Sequence, residues 1–158
     1  MVSIFDFSGR RGALVPLLPS VYKLLAQNAR PLPHQILWQQ HMRKELVDIC
    51  RHFLVAKGED GALLGVFFYK TSPATGPLIY IEDFSLTPDF ANPQALVDAF
   101  VAKLALDPSV SNAQFYGNTA HIKQEKDKEI LKEAPATPWE VLGDFKQMAN
   151  TLKRRYAL

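Results

Sequence analysis

The chain has a single cysteine, Cys50, which excludes an internal disulfide and fits a reducing compartment. It has no apolar run approaching the roughly 20 residues that cross a bilayer as a helix. Its glycines never fall into a P-loop, a Rossmann G-x-G-x-x-G or a G-x-S-x-G nucleophile turn. There is no HExxH and no cysteine pair, so no metal site is expected. His34 and His41 flank Trp38 on one helical face, but that spacing puts them about 10 Å apart along the axis, too far to share one zinc. Charge of one sign is also missing. Lys and Arg number 18 against 16 Asp and Glu, and a net +2 argues for neither nucleic acid nor an anionic membrane. The opening MVSIFDFSGRR carries Asp6 early and its basic pair late, the reverse of a signal peptide. A cytoplasmic protein with no membrane association is expected.

What is present is ordinary for a globular domain. The 158 residues are 47% hydrophobic and 22% charged, enough for one domain, 1–158, with a proper core. The chain is organised around Leu78 to Phe90, LIYIEDFSLTPDF, an apolar run crossed by Glu82 and Asp83 and ended by Pro88. Before it, Val2 to Phe7 predicts a short strand. Ala13 to Ala29 predicts a helix with Pro16 and Pro19 near its start, or one capped by Ser20 and starting at Val21. A second helix is predicted from about His34 to Arg51, with Leu46, Val47, Ile49 and Cys50 on its buried side. His52–Lys57 and Ala62–Lys70 flank an acidic, glycine-bounded turn and predict a β-hairpin. Thr71–Pro77 is a loop, and Leu78–Leu86 is the third strand of an antiparallel meander.

After that strand, Asn92-Pro93 is a helix start, with Asn as N-cap and Pro at the first helical position. Leu96, Val97, Phe100, Val101 and Leu104 recur at helical spacing, and Asp107-Pro108 ends the element. Ala113–Tyr116 is a short strand. His121–Ala134 is a charged, solvated helix or loop, and Ala134–Pro138 a linker-like turn. Trp139–Met148 and Thr151–Leu158 read as a closing pair of strands, and the last run reads equally as helix.

This order, with the Glu-Asp strand feeding a proline and a helix, resembles the GCN5-related N-acetyltransferases. The resemblance is strongest from Phe53 to Asn118. It implies an α/β (α+β) fold: a mixed, mainly antiparallel sheet with helices on both faces. It also implies an acyl-CoA donor held between the ends of Leu78–Leu86 and Ala113–Tyr116, where the family's strands splay, with its phosphates near Asn92 to Ala95. The family's Gln/Arg-x-x-Gly-x-Gly/Ala loop is not kept. With Pro88 aligned, Ala91 takes the Gln/Arg position, and Gln94 and Leu96 take the glycine positions. Such glycines let backbone N–H groups approach phosphate without a Cβ in the way. The resemblance implies cofactor contacts at Leu86, Asn92, Gln94, Ala95 and Asn118. Acetyl-CoA or another acyl-CoA is expected to bind weakly or not at all.

For chemistry, the resemblance points to Glu82 as base for an acceptor amine, because an ammonium is not nucleophilic. Adjacent residues on a strand point to opposite faces, so Glu82 and Asp83 are expected on opposite sides. The family's thiolate-protonating tyrosine would fall at Glu125, which leaves Tyr116 and Tyr156 as substitutes by residue type. Each of these residues also has a plain structural reading. Asn92 is a good cap, Asn118 follows Gly117 in a turn, Cys50 is core, and Lys153-Arg154-Arg155, a run able to touch phosphates, reads first as a solvated end. Two functions remain: a divergent N-acyltransferase of unread acceptor, or a non-catalytic binding or assembly module on the same fold, such as a regulatory partner or a phage or virion component. A homodimer or a protein partner fits either.

Overall fold

The computed structural model describes residues 2–28, 32–72, 78–118 and 139–156. The chain opens with β1 (Ser3–Asp6), followed by a 3-10 helix, Arg11–Leu17, that runs directly into α1 (Leu18–Gln27). Pro19 lies in the first turn of α1, where its missing N–H has no partner to lose, so Ser20 is inside the helix rather than its cap. α2 (Gln35–Glu45) is capped by His34, whose Nδ1 accepts from the Ile36 N–H at 3.3 Å. It ends well short of Arg51. The Asp48 carboxylate accepts from the Cys50 N–H at 2.9 Å and fixes a turn there. Val47 and Ile49 are therefore 76% and 81% exposed, and Cys50 is half-buried outside any helix, not on a buried helical side as the spacing implied.

β2 (Arg51–Lys57) and β3 (Leu63–Ser72) form the hairpin, turning at Gly61, whose φ of +80° favours glycine. β4 (Leu78–Leu86) keeps the bounds read from the sequence. α3 (Pro93–Ala105) starts at the Asn92 cap, whose Oδ1 accepts from Ala95 N–H at 3.2 Å. A short helix, α4 (Pro108–Ser111), is capped by Asp107 and leads to β5 (Gln114–Asn118). The tail is β6 (Trp139–Gly143) followed by a helix, α5 (Phe145–Arg155), not two strands. Asp144 and Gln147 form a reciprocal capping box, and the exchange of hydrogen bonds sets the helix start. His121–Ala134, Glu125 and the Ala134–Pro138 turn lie outside the described residues.

The six strands form one sheet in the order β1-β2-β3-β4-β5-β6, antiparallel throughout except for the parallel pair β4 and β5. Both faces are packed. On one, α1 and α2 bury Leu18, Val21, Leu25, Trp38 and Met42 against Phe53, Val55, Val66 and Phe68. On the other, α3 and α5 bury Leu96, Phe100, Met148 and Leu152 against Phe67, Ile79, Ile81 and Phe84. A strand apolar on both sides, such as β3, requires this two-sided cover. At Gly65 the packing leaves no room for a side chain: a Cβ would sit 3.2 Å from the Ser85 carbonyl and 2.8 Å from Leu86 Cδ2.

Candidate functional site

The site begins with an irregularity in β4. Tyr69 pairs with Ile81 and Phe68 with Asp83, so Glu82 is an extra residue, a β-bulge. Ile79, Ile81, Phe84 and Leu86 all enter the α3-side core, which means the alternation skips one position at Glu82-Asp83. The expectation that these two carboxylates face opposite sides therefore fails. Asp83 is buried, and Glu82 turns to the α1–α2 side of the sheet, where it pairs with Arg51 Nη1. Burial pushes the Glu82 carboxyl above its ordinary range, and the Arg51 guanidinium pulls against that shift.

Tyr116 lies on the same face, because its neighbour Phe115 is buried on the α3 side. Its ring stacks on Tyr80 at 5.2 Å between centroids, and Trp139 meets Tyr80 edge-on at 5.1 Å. The two catalytic candidates, Glu82 and Tyr116, thus share a sheet face on neighbouring strands, with Tyr80 between them in the register.

The bulge coincides with a divergence of β4 from β5. Their last pair is Ile81 with Gly117, and Glu82–Leu86 continue with no β5 partner among the described residues. At the end of this stretch is a cavity of about 510 Å³ lined by Leu86, Pro88, Pro93, Asn28, Arg155 and Tyr156, among others. The end of α5 forms one wall. Gln94 Nε2 donates to the Lys153 carbonyl at 2.8 Å and ties α5 to α3. Tyr156 meets Phe84 edge-on at 5.5 Å, and its hydroxyl lies 3.4 Å from Asn28 Oδ1. Asn28 Nδ2 donates to the Leu86 carbonyl at 3.0 Å. Arg155 Nη1 is buried and has no hydrogen-bond partner among the described residues.

The predicted cofactor contacts divide accordingly. Leu86 lines the cavity. Asn92 is taken up by its cap, and that cap occupies the Ala95 N–H. Gln94 points to α5, and Leu96 is fully buried in the core, so neither side chain stands where a phosphate would be cradled. Asn118 pairs with Trp139 through the strand ladder. Tyr156, named from sequence by type alone, reaches the cavity. Arg155 does too, although the basic run was read as a solvated end. Its signal was a basic last helical turn, which also satisfies the helix dipole and so looks complete without a ligand. Asn28 and Arg51 carried no motif. Among the described residues no cluster of His, Cys, Asp or Glu is arranged to hold a metal ion.

No protein-family model matches the chain, and no curated protein matches it in sequence. Solved structures do. The spermidine N-acetyltransferase of Vibrio cholerae, in complex with CoA and spermine, superposes with a TM-score of 0.54 at 11% identity, covering 82% of this chain and 76% of that one. An aminoglycoside acetyltransferase from an uncultured soil metagenomic sample, in complex with sisomicin, gives 0.53 at 13% identity, covering 83% of each. A protein assigned by inference to the GNAT family, from Desulfovibrio desulfuricans, gives 0.51 at 17%, covering 74% and 72%. At such identities the likeness defines the fold. The chain has the fold of the GCN5-related N-acetyltransferases.

Proposed function

We propose that this protein is an acyl-CoA-dependent N-acyltransferase with an altered anion-binding corner. The observation that carries the reading is the cavity at the end of β4, past the last β4–β5 pair, lined in part by Arg155, whose Nη1 has no hydrogen-bond partner among the described residues. A cation with unused donors in a cavity suits a phosphate, and arginine suits it better than lysine because its donors form a fixed fork. The residues present therefore fit an anionic, amide-bearing donor. Arg155 would hold a phosphate, and the Leu86 carbonyl would accept an amide N–H once Asn28 gives it up. When bound, the CoA thioester supplies an activated acyl group.

The chain's own residues then supply acceptor chemistry. Glu82 takes the proton that an acceptor ammonium must lose before its nitrogen can attack. Tyr80, Tyr116 and Trp139 form an aromatic cluster on the same face. Binding is expected to be weak. Pro93 brings no N–H to the first turn of α3, and Ala95's is already used. Losing two charge-assisted hydrogen bonds costs roughly 3–6 kcal/mol, or two to four orders of magnitude in affinity.

A non-catalytic module on the same fold is favoured by one observation: the Asn28–Tyr156 bridge already occupies the Leu86 carbonyl at the end of β4. Acetyl-CoA with a panel of primary amines, followed by release of free thiol, tests the catalytic reading. Amine-dependent thiol release that disappears in Glu82→Gln is the expected result. No amine-dependent thiol release with any amine would favour the module, whereas release unchanged in Glu82→Gln would keep the transferase reading and remove Glu82 as its base.

A further inference from the structure

Arg51 opens β2 with a side chain only 17% exposed, and it meets carboxylates from three parts of the chain. Its Nη1 pairs with Glu82 of the β4 bulge and lies 3.8 Å from Glu45 Oε1 at the end of α2. Its Nε lies 3.2 Å from Asp48 Oδ2 in the turn between α2 and β2. Glu45 Oε1 is in turn 2.5 Å from His41 Nε2, one helical turn earlier. Lys70 of β3 is the other cation acting on both Glu82 and Asp48.

Such a cluster adds little to stability by itself. The desolvation of a half-buried ion pair roughly cancels its attraction, and three acids around one guanidinium repel one another. What it provides is geometry. A bulge residue has no directly opposed cross-strand neighbour, so the ladder leaves its side chain without a fixed place. A planar guanidinium held at its other edge by Asp48 supplies that place. We infer that Arg51 is a positioning residue: it fixes the Glu82 carboxylate at the bulge and ties it to the α2–β2 turn. The inference rests on reading Glu82 as the base.

The electrostatic consequence has a definite sign. Burial favours the protonated form of Glu82, the charge of Glu45 pushes the same way, and Arg51 and Lys70 oppose them. Removing Arg51 must therefore raise the pH at which Glu82 ionises, and neutralising Glu45 must lower it.

The test is a carboxyl-carbon NMR titration of the full chain, with the Glu82 signal assigned through Glu82→Gln. The Glu82 midpoint is expected to move up in Arg51→Gln, to return part of the way in Arg51→Lys, and to move down in Glu45→Gln. Equal midpoints in the parent and Arg51→Gln, or an upward shift in Glu45→Gln, would overturn it. Should Arg51→Gln fail to fold, Arg51→Lys and Glu45→Gln decide the matter. A midpoint in Arg51→Lys equal to the parent's, together with no downward shift in Glu45→Gln, would overturn it as well. The acidic limb of the kcat/KM profile for acyl transfer must shift in the same direction as the titration. The titration needs neither donor nor acceptor, so failure of acyl-CoA to bind is a separate result that leaves it readable.

Discussion

Leu96 stands at the last glycine position of the resembling phosphate loop, yet it is fully buried among Val97, Phe100 and Leu104. The sequence offered two readings of it: a blocked glycine position of the loop, and a member of the apolar helical stripe of α3. In a helix the side chain follows the 3.6-residue period, and position 96 falls on the stripe facing the sheet. Leu96→Ala is therefore expected to cost about 2–5 kcal/mol in urea unfolding, the range for a buried leucine. It is expected to leave CoA affinity unchanged. Tighter CoA binding without loss of stability would show that Leu96 does obstruct the site. Glu82 and Asp83 were legible as the acids of the central strand, whereas Arg51 was not legible as the partner of Glu82. The contact joins positions far apart in sequence and depends on a bulge that neither strand announces alone.

β4 and α3 were read with nearly correct ends. An apolar run between loops and an Asn-Pro cap are local signals, and nothing distant overrides them. The tail shows the opposite case. Trp139, Val141 and Leu142 are strand-forming and Phe145 follows shortly after, so the strand was read through Gly143-Asp144, itself a turn signal. The capping box of Asp144 and Gln147 ends it, with Gly143 at φ +92° making the turn. Replacing Asp144 by Ala removes one half of that box and is expected to destabilise the protein by about 1 kcal/mol. Amide hydrogen exchange in α5 should accelerate, with β2 and β3 unaffected by local opening. Unchanged protection across Phe145–Arg155 would mean that packing against α3, rather than the cap, holds the helix in place. The position of α5 matters because its last turn brings Arg155 and Tyr156 to the cavity.

For the molecule as a whole, the two-sided sheet was legible because β3 is apolar on both faces and must be covered on both. The end of the β4–β5 pairing at Ile81 and Gly117 was implied by the family resemblance and not by the residues themselves, because it arises from the pairing of strands separated by α3 and α4. That end is where the altered corner matters: the glycine cradle is missing and Arg155 approaches from the C-terminal helix instead. We propose that this corner still binds the anionic end of CoA. Isothermal calorimetry of CoA against the parent protein and Arg155→Gln tests it most directly. The expected result is weak but measurable binding to the parent, reduced about tenfold or more in the variant, the equivalent of one charge-assisted hydrogen bond. No heat from the parent at millimolar CoA, or equal affinity in both proteins, would contradict it.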